Sequence, residues 1–219
     1  MRKNSGILLV FVFLFAAMPS FSQFFQGFGI MGGLTLGKQK WWIENSSPPF
    51  PSSTTEKHKY LFGFNGELFA EFVNHPTFRW RTEFEFDRKG TKHRETKERN
   101  KLDYISWNNF LVVRGETYDG YPYFLIGPRL EYKFSQSTPS VPLAFTPLHL
   151  SWSVGAGFEF ITFGNIKPMV ELHYNPDLNS AMNQKIGDEG NWKIKNRAWE
   201  LRAGIKFTFG NNGCPPVYK

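Results

Sequence analysis

Charged side chains at alternate positions are the residues of this sequence best placed to do chemistry. In the stretch from 78 to 87, acids and bases alternate with large aromatic side chains. Because successive side chains of a β-strand point to opposite faces, this spacing predicts one charged face and one apolar face. Similar alternation elsewhere assigns to the charged face Glu67, Glu71, Arg79, Arg81, Glu83, Glu85, Arg129, Glu131, Glu159, Lys167, Glu171, Glu200, Arg202 and Lys206.

Acids and bases on one enclosed face could pass protons or ions, or they could pair and fill the space. If eight strands close into a barrel, the interior is just wide enough for side chains. Unpaired charges there would be strongly destabilising, so the acids and bases must pair. We therefore predict a structural plug of paired charges. No catalytic, cofactor-binding or metal-binding residue is predicted, because the sequence shows no metal-ligand spacing, phosphate-binding glycine loop or nucleophile elbow.

His149 and Ser151 form a second candidate site, because a histidine can activate a nearby serine hydroxyl as a nucleophile. Their spacing resembles part of the catalytic set of the outer-membrane lipid A deacylases, which implies a lipid hydrolase embedded in the membrane. Glu159 or Glu171 could then orient the histidine. However, the alternation directs both residues to the enclosed face, away from lipid acyl chains. We therefore predict a structural hydrogen-bonded pair, with the hydrolase as the alternative.

A third candidate is a basic segment that is predicted to be a loop. Guanidinium and ammonium groups in such a loop could bind the phosphates of lipopolysaccharide or a surface partner. A charge-rich loop can equally be a solvated connection without a ligand, and this is the interpretation that we favour. The segment contains Arg88, Lys89, Lys92, Arg94, Lys97, Arg99 and Lys101, against Glu95 and Glu98.

Eight alternating segments are predicted to form the strands that position these side chains. With an even number of strands, every second connection falls on the side of the two chain termini. The predicted strands lie at about residues 28–42, 60–73, 78–87, 102–118, 121–134, 148–160, 166–174 and 199–209.

The predicted connections alternate in length. Residues 74–77, 119–120 and 163–165 are short and contain Pro, Gly or Asn, as tight hairpins require. All of them fall on the side of the termini, which is typical of outer-membrane barrels with short periplasmic turns and long external loops. The long connections are residues 45–57, 88–101, 136–147 and 176–191.

The start of the chain has the organisation of a secretory signal peptide. Two basic residues precede an apolar stretch of 11 residues, Ile7 to Ala17, which is too short to span a bilayer as a helix. Ser20 and Ser22 suit cleavage before Gln23. We therefore predict a signal peptide over residues 1–22, a barrel over 23–210 and a periplasmic tail over 211–219.

Composition favours a membrane barrel over two soluble all-β alternatives. Aromatic residues make up 18% of the chain and include 24 Phe. A lipocalin-like barrel would turn its apolar face inward, and a two-sheet sandwich would bury its apolar faces between the sheets. Closing one sheet with the charges inside instead exposes the aromatic face, which lipid must then cover. The formal charge of +7 could suggest nucleic acid, but an exported chain rarely meets it, so no nucleic-acid partner is predicted.

Residues 121–130 (YPYFLIGPRL), 153–160 (SVGAGFEF) and 199–207 (WELRAGIKF) carry a resemblance to a known family. They look like the PYFLAGP strand, the GxGAGxEF hairpin and the closing strand of the PorT-like small outer-membrane β-barrels. The resemblance implies an eight-stranded barrel and, for the protein that gives the family its name, a role linked to protein secretion. Because ten residues follow the last predicted strand here, we expect Phe207 and Phe209 to act as an internal insertion signal.

Together these features predict an all-β, eight-stranded antiparallel up-and-down transmembrane barrel in the outer membrane of a Gram-negative bacterium. We expect a non-enzymatic anchor or accessory for protein secretion or surface interactions, which acts through its external loops. The expected partners are outer-membrane lipopolysaccharide and a secretion-system or surface protein, and no cofactor is expected. The alternative is a membrane-embedded hydrolase of the lipid A deacylase type.

Overall fold

The computed structural model describes residues 25–44, 53–55, 58–73, 75–93, 99–137, 146–162, 164–185 and 191–209. The regular structure in these ranges is β-strand. No helix among the described residues is long and apolar enough to cross a membrane. The strands are β1 (Phe25–Glu44), β2 (Ser53–Thr55), β3 (His58–Phe72), β4 (Phe78–His93), β5 (Arg99–Arg114), β6 (Gly120–Ser137), β7 (Leu148–Phe160), β8 (Ile166–Pro176), β9 (Met182–Lys185) and β10 (Asn191–Thr208).

Eight long strands close into an antiparallel barrel. Each of them pairs with its neighbours in chain order, and β1 pairs with β10 from Gly27–Thr208 to Glu44–Asn191. The short strands extend the sheet beyond this closure, with β2 pairing with the end of β1 and β9 pairing with the start of β10. The predicted eight-stranded up-and-down barrel is therefore confirmed.

The predicted connection over residues 88–101 is wrong in most of its length. Strand β4 continues to His93 and β5 begins at Arg99, with backbone pairing from Arg88–Asp103 to Lys92–Arg99. In this region the outward side chains are no longer apolar, but inward and outward positions still alternate. Strands β4 and β5 therefore continue beyond the aromatic stretch. Likewise, the predicted connection over 176–191 contains β9, and β10 begins eight residues before the predicted position 199. The predicted signal peptide, the predicted tail and residues 94–98 lie outside the described residues.

Large apolar side chains cover the outer surface of the barrel. Phe62 is 73% exposed and Leu68 is 62% exposed, and the predicted outward residues Trp80, Phe84 and Leu201 are exposed as well. A soluble protein does not expose an apolar surface of this extent, whereas a transmembrane barrel covers it with lipid. In the structure the charged face lies inside the barrel and the aromatic face lies outside.

The outward side chains mark both edges of this apolar belt. At the short-turn end, the rings of Phe28 and Phe207 stack with centroids 5.2 Å apart, as in the aromatic girdles of membrane barrels. At the long-loop end, the outward side chains change from Leu36 to Lys38 on β1, and from Trp199 to Arg197 on β10. Strand β1 has 20 residues and extends about 65 Å, so it projects well beyond a belt of about 25 Å even when tilted.

Two glycines make room for large rings inside the barrel. A Cβ atom at Gly29 would lie 2.3 Å from the ring of Phe69, and one at Gly157 would lie 2.4 Å from the ring of Tyr123. Both rings are buried and belong to an apolar cluster that crosses the lumen. The glycines of β1 and β7 therefore let aromatic side chains fill an interior that would otherwise be too narrow for them.

Candidate functional site

The lumen gathers the charged side chains that the sequence assigned to the inner face. They come from β3, β4, β6, β7, β8 and β10, and all are buried despite being charged. The structure places in the lumen all fourteen residues assigned to this face, which are Glu67, Glu71, Arg79, Arg81, Glu83, Glu85, Arg129, Glu131, Glu159, Lys167, Glu171, Glu200, Arg202 and Lys206.

The buried charges form three layers along the barrel axis. Arg81 is at the centre of the layer nearest the short turns, which we call the inner layer. Its Nε and Nη2 atoms donate to Glu71 Oε1 at 3.0 and 2.7 Å, and its Nη1 atom donates to Glu171. Its guanidinium carbon also lies 4.6 Å from the ring centroid of Phe69. Lys206 Nζ donates to the other oxygen of Glu71 at 3.1 Å. The guanidinium of Arg81 thus bridges two carboxylates from different strands of the barrel wall, Glu71 on β3 and Glu171 on β8.

Two arginines organise the middle layer. Arg202 Nη2 donates to Glu85 Oε1 at 2.9 Å, and the same guanidinium contacts Glu67 and Glu200. Arg129 Nη2 lies 2.9 Å from the second oxygen of Glu85 and Arg129 Nη1 lies 3.4 Å from Glu200 Oε1. Charge-assisted contacts of this kind are the strong ones in proteins, and here they form a continuous network across β3, β4, β6 and β10.

The outer layer contains residues that the sequence analysis missed or misplaced. Lys89, which was predicted to lie in an external loop, points into the lumen and its Nζ donates to Glu131 Oε1 at 2.7 Å. Asp87 is 3.3 Å from the same ammonium group. Asp177, predicted to lie in a long connection, is buried beside His149. The alternation that continues through β4 was the signal that could have placed Lys89 inside.

Apolar clusters interrupt the charged layers and complete the filling of the lumen. Arg81, Arg129 and Arg202 are among the largest fully buried side chains, so long charged side chains themselves act as core residues. The inner cluster consists of Met31, Phe69, Phe110, Val112, Tyr123, Leu125 and Met169. The outer cluster consists of Leu102, Tyr104, Ala181 and Ile194, with Trp41 packed against it.

The predicted pair of His149 and Ser151 does not form a nucleophile–base contact among the described hydrogen bonds. Ser151 Oγ donates instead to Glu131 Oε1 at 2.7 Å, and His149 Nε2 lies 2.9 Å from Glu131 Oε2. Ser151 therefore supports this carboxylate, and the His149 ring lies beside its other oxygen. The predicted mutual hydrogen bond is not found among the described contacts, because Ser151 donates to Glu131 on the neighbouring strand instead.

A different serine, histidine and acid are aligned in the lumen. Ser153 Oγ lies 3.0 Å from His173 Nδ1, and His173 Nε2 lies 2.7 Å from Glu171 Oε2. Ser153 and His173 are completely buried, and Glu171 also accepts contacts from Arg81 and Tyr123. The sequence analysis missed this arrangement because its members lie on two different strands, β7 and β8. The register between these strands, which places Gly155 opposite His173, cannot be read from either strand alone.

Comparison with known proteins points to one family. A family model described as outer membrane protein beta-barrel domain matches residues 7–207. OprG from Pseudomonas aeruginosa has a TM-score of 0.54 at 11% identity, over 85% of this chain and 97% of OprG. Neisserial surface protein A has a TM-score of 0.47 at 15% identity, over 83% of this chain and 97% of that protein. Ail from Yersinia pestis has a TM-score of 0.38 at 18% identity, over 83% and 99%. No curated protein sequence matches this chain. The match to OprG supports the barrel fold.

Replacing Arg81 by alanine tests whether the lumen charges act as a paired plug. The substitution leaves Glu71 and Glu171 without their shared cation, and breaking a buried ion pair typically costs about 3–5 kcal/mol. We expect the free energy of unfolding to fall by that amount in urea titrations of the protein refolded in lipid vesicles.

The matched control is Arg88→Ala. Arg88 is paired with Asp103 at the outer surface, where its side chain is 34% exposed, and pairs of that kind contribute about 0–1 kcal/mol. Equal and small effects of the two substitutions would mean that water screens the lumen charges, which contradicts the plug.

Proposed function

Because this chain belongs to the outer membrane protein β-barrel domain family, we propose that it is a non-enzymatic membrane anchor whose function is exercised at the long-loop end. The observation that carries this proposal is the filled lumen. Three buried arginines and two apolar clusters occupy the interior, which leaves side chains rather than a water column along the barrel axis. With its interior filled in this way, the barrel would act through its long-loop end.

The finer part of the proposal is a PorT-like accessory role in protein secretion. The three segments that resemble the PorT-like family fall in β6, β7 and β10, which are strands of the barrel wall. Strands β1 and β10 pair up to Glu44–Asn191, beyond the apolar belt. They supply a rigid rim from which the external connections can contact a secretion-system or surface protein.

A basic patch beyond the belt favours lipopolysaccharide as the lipid partner. Lys38 lies directly opposite Arg197 on the outward face of the β1–β10 pair. Like charges directly opposite each other destabilise a sheet. Phosphate groups at the level of the lipid headgroups would relieve this repulsion through charge-assisted hydrogen bonds. We define the basic seam as Lys38 and Arg197.

The basic seam is tested by its effect on stability in different lipids. We expect lipopolysaccharide to raise the unfolding temperature of the wild-type protein in phosphatidylcholine vesicles, because a ligand that binds the folded state stabilises it. The double substitution Lys38→Gln and Arg197→Gln should remove most of this increase.

The control for this experiment is Arg88→Gln with Lys101→Gln. It makes the same change in charge at outward positions where Asp103 already neutralises Arg88. An equal loss of the lipopolysaccharide effect in both double variants would show that net charge alone, and not the basic seam, is responsible.

A second candidate function is lipid hydrolysis, and the aligned Ser153, His173 and Glu171 are the observation that favours it. A histidine between a serine and a carboxylate is the arrangement of an activated nucleophile. Against it, Ser153 is completely buried in the lumen, whereas lipid acyl chains contact the outer face of the barrel. We therefore propose that this relay orients Glu171 towards Arg81 and is structural.

A deletion strain separates the two functions. We expect loss of the protein to reduce the amount of secreted protein, and wild type and Ser153→Ala to restore it equally. A variant with residues 138–145 replaced by a Gly–Ser linker of equal length should insert into the outer membrane but fail to restore secretion. Secreted protein is measured in the medium, and lipid A acylation is measured by mass spectrometry in the same cells.

Two outcomes would contradict the proposal. Unchanged secretion in the deletion strain would exclude the accessory role. A deacylated lipid A that appears with wild type and disappears with Ser153→Ala would establish the hydrolase instead.

A further inference from the structure

Three potential ligand atoms converge at the outer end of the lumen. They are Glu131 Oε2 on β6, His149 Nε2 on β7 and Asp177 Oδ1 just after β8, and all lie within 4.8 Å of one another. His149 Nε2 is 2.9 Å from Glu131 Oε2 and 3.6 Å from Asp177 Oδ1. Ligands at about 2.0–2.2 Å from a metal ion are separated from each other by roughly 3–3.6 Å. The two separations from His149 Nε2 therefore match those of ligands around one cation, and the third separation is at most 4.8 Å.

The same three atoms have no hydrogen-bond partner, although each belongs to a side chain that is about 1% exposed or less. The close approach of His149 to Glu131 lacks the angular geometry of a hydrogen bond. Buried polar atoms in native proteins are almost always satisfied, and exceptions call for an explanation such as a bound ion. An ion that accepts all three lone pairs satisfies the atoms together.

The distribution of charge also sets Asp177 apart from the other buried carboxylates. Of the ten buried carboxylates in the described part of the chain, nine lie 3.3 Å or closer to a lysine or arginine nitrogen. The ionic partner of Asp177 within the described ranges is His149. A buried carboxylate without a permanent cation is strongly unfavourable. A divalent ion would place a permanent positive charge beside Asp177.

The second oxygen of each of the two carboxylates is held by neighbours, whereas His149 Nδ1 has no hydrogen-bond partner among the described residues. Glu131 Oε1 accepts from Ser151 Oγ and from Lys89 Nζ, both at 2.7 Å. Asp177 Oδ2 accepts from the backbone nitrogen of Asn196 at 2.7 Å. Each carboxylate thus has one oxygen fixed by the protein and one directed at the cluster. Supporting contacts of this kind orient the ligands of metal sites in proteins.

We propose that Glu131, His149 and Asp177 bind one divalent transition-metal ion such as Zn²⁺. One imidazole nitrogen with two carboxylate oxygens suits this class better than Ca²⁺ or Mg²⁺, which prefer oxygen ligands throughout. The ion would join β6 and β7, which are paired at Glu131–His149, to the segment that follows β8. Continuous pairing of β7 with β8 stops at Val154–Tyr174, and beyond it the described links are the isolated bridge Ser151–Asp177 and hydrogen bonds from Leu178 N and Asn179 N to Leu150 O. The metal is therefore a clamp for the outer end of β8.

The test is calorimetric titration of ZnCl₂ into the full chain, purified in detergent and treated with chelator. We expect one Zn²⁺ per chain and an unfolding temperature that rises with the Zn²⁺ concentration. Asp177→Asn and His149→Gln each remove a ligand and should weaken binding by more than about 100-fold. Ser151→Ala removes a support of Glu131 and should weaken binding by about 10–100-fold.

The matched control is His75→Gln, which removes an exposed histidine at a short turn and should leave binding unchanged. Circular dichroism verifies that each variant is folded, and His149→Gln decides the result if Asp177→Asn does not fold. Absence of Zn²⁺ binding by the wild-type protein would overturn the proposal. Equal Zn²⁺ binding by wild type and His149→Gln would overturn it as well.

Discussion

The structure depends on one electrostatic constraint, which is that a charge enclosed by eight strands must find an opposite charge. The interior of such a barrel holds side chains and little water, and its wall is surrounded by lipid. Arg81, Arg129 and Arg202 meet this constraint by reaching across the lumen to carboxylates on distant strands. The contacts that neutralise the charges therefore also hold opposite walls of the barrel together.

This constraint separates the roles of the two faces. Inside, paired charges and aromatic rings form a core, so the lumen stabilises the barrel and supports the rim. Outside, an apolar belt sets the position in the membrane, and the basic seam of β1 and β10 lies immediately beyond it. The proposed metal cluster belongs to the charge network inside the barrel. It supplies a cation to Asp177, the buried carboxylate that has no lysine or arginine partner among the described residues.

Much of the fold could be predicted from the sequence because period-two alternation is a local property. It assigned fourteen charged residues to one face without knowledge of their partners, and all fourteen are buried in the structure. Strand ends were harder to predict, because β4 and β5 continue as paired strands after their outer face becomes charged, which is why Lys89 was misplaced. The partners themselves could not be predicted, since the contact of Ser151 with Glu131 depends on the register between β6 and β7. The cluster at Asp177 likewise needs three strands to be aligned.

The most direct test of the central claim is the electrical conductance of the purified protein in planar lipid bilayers. A lumen filled by paired charges and aromatic rings should give no sustained channel of porin size, at any applied voltage that the bilayer tolerates. Stable porin-sized conductance would mean that water and ions occupy the interior, and the account of a plugged anchor would be wrong.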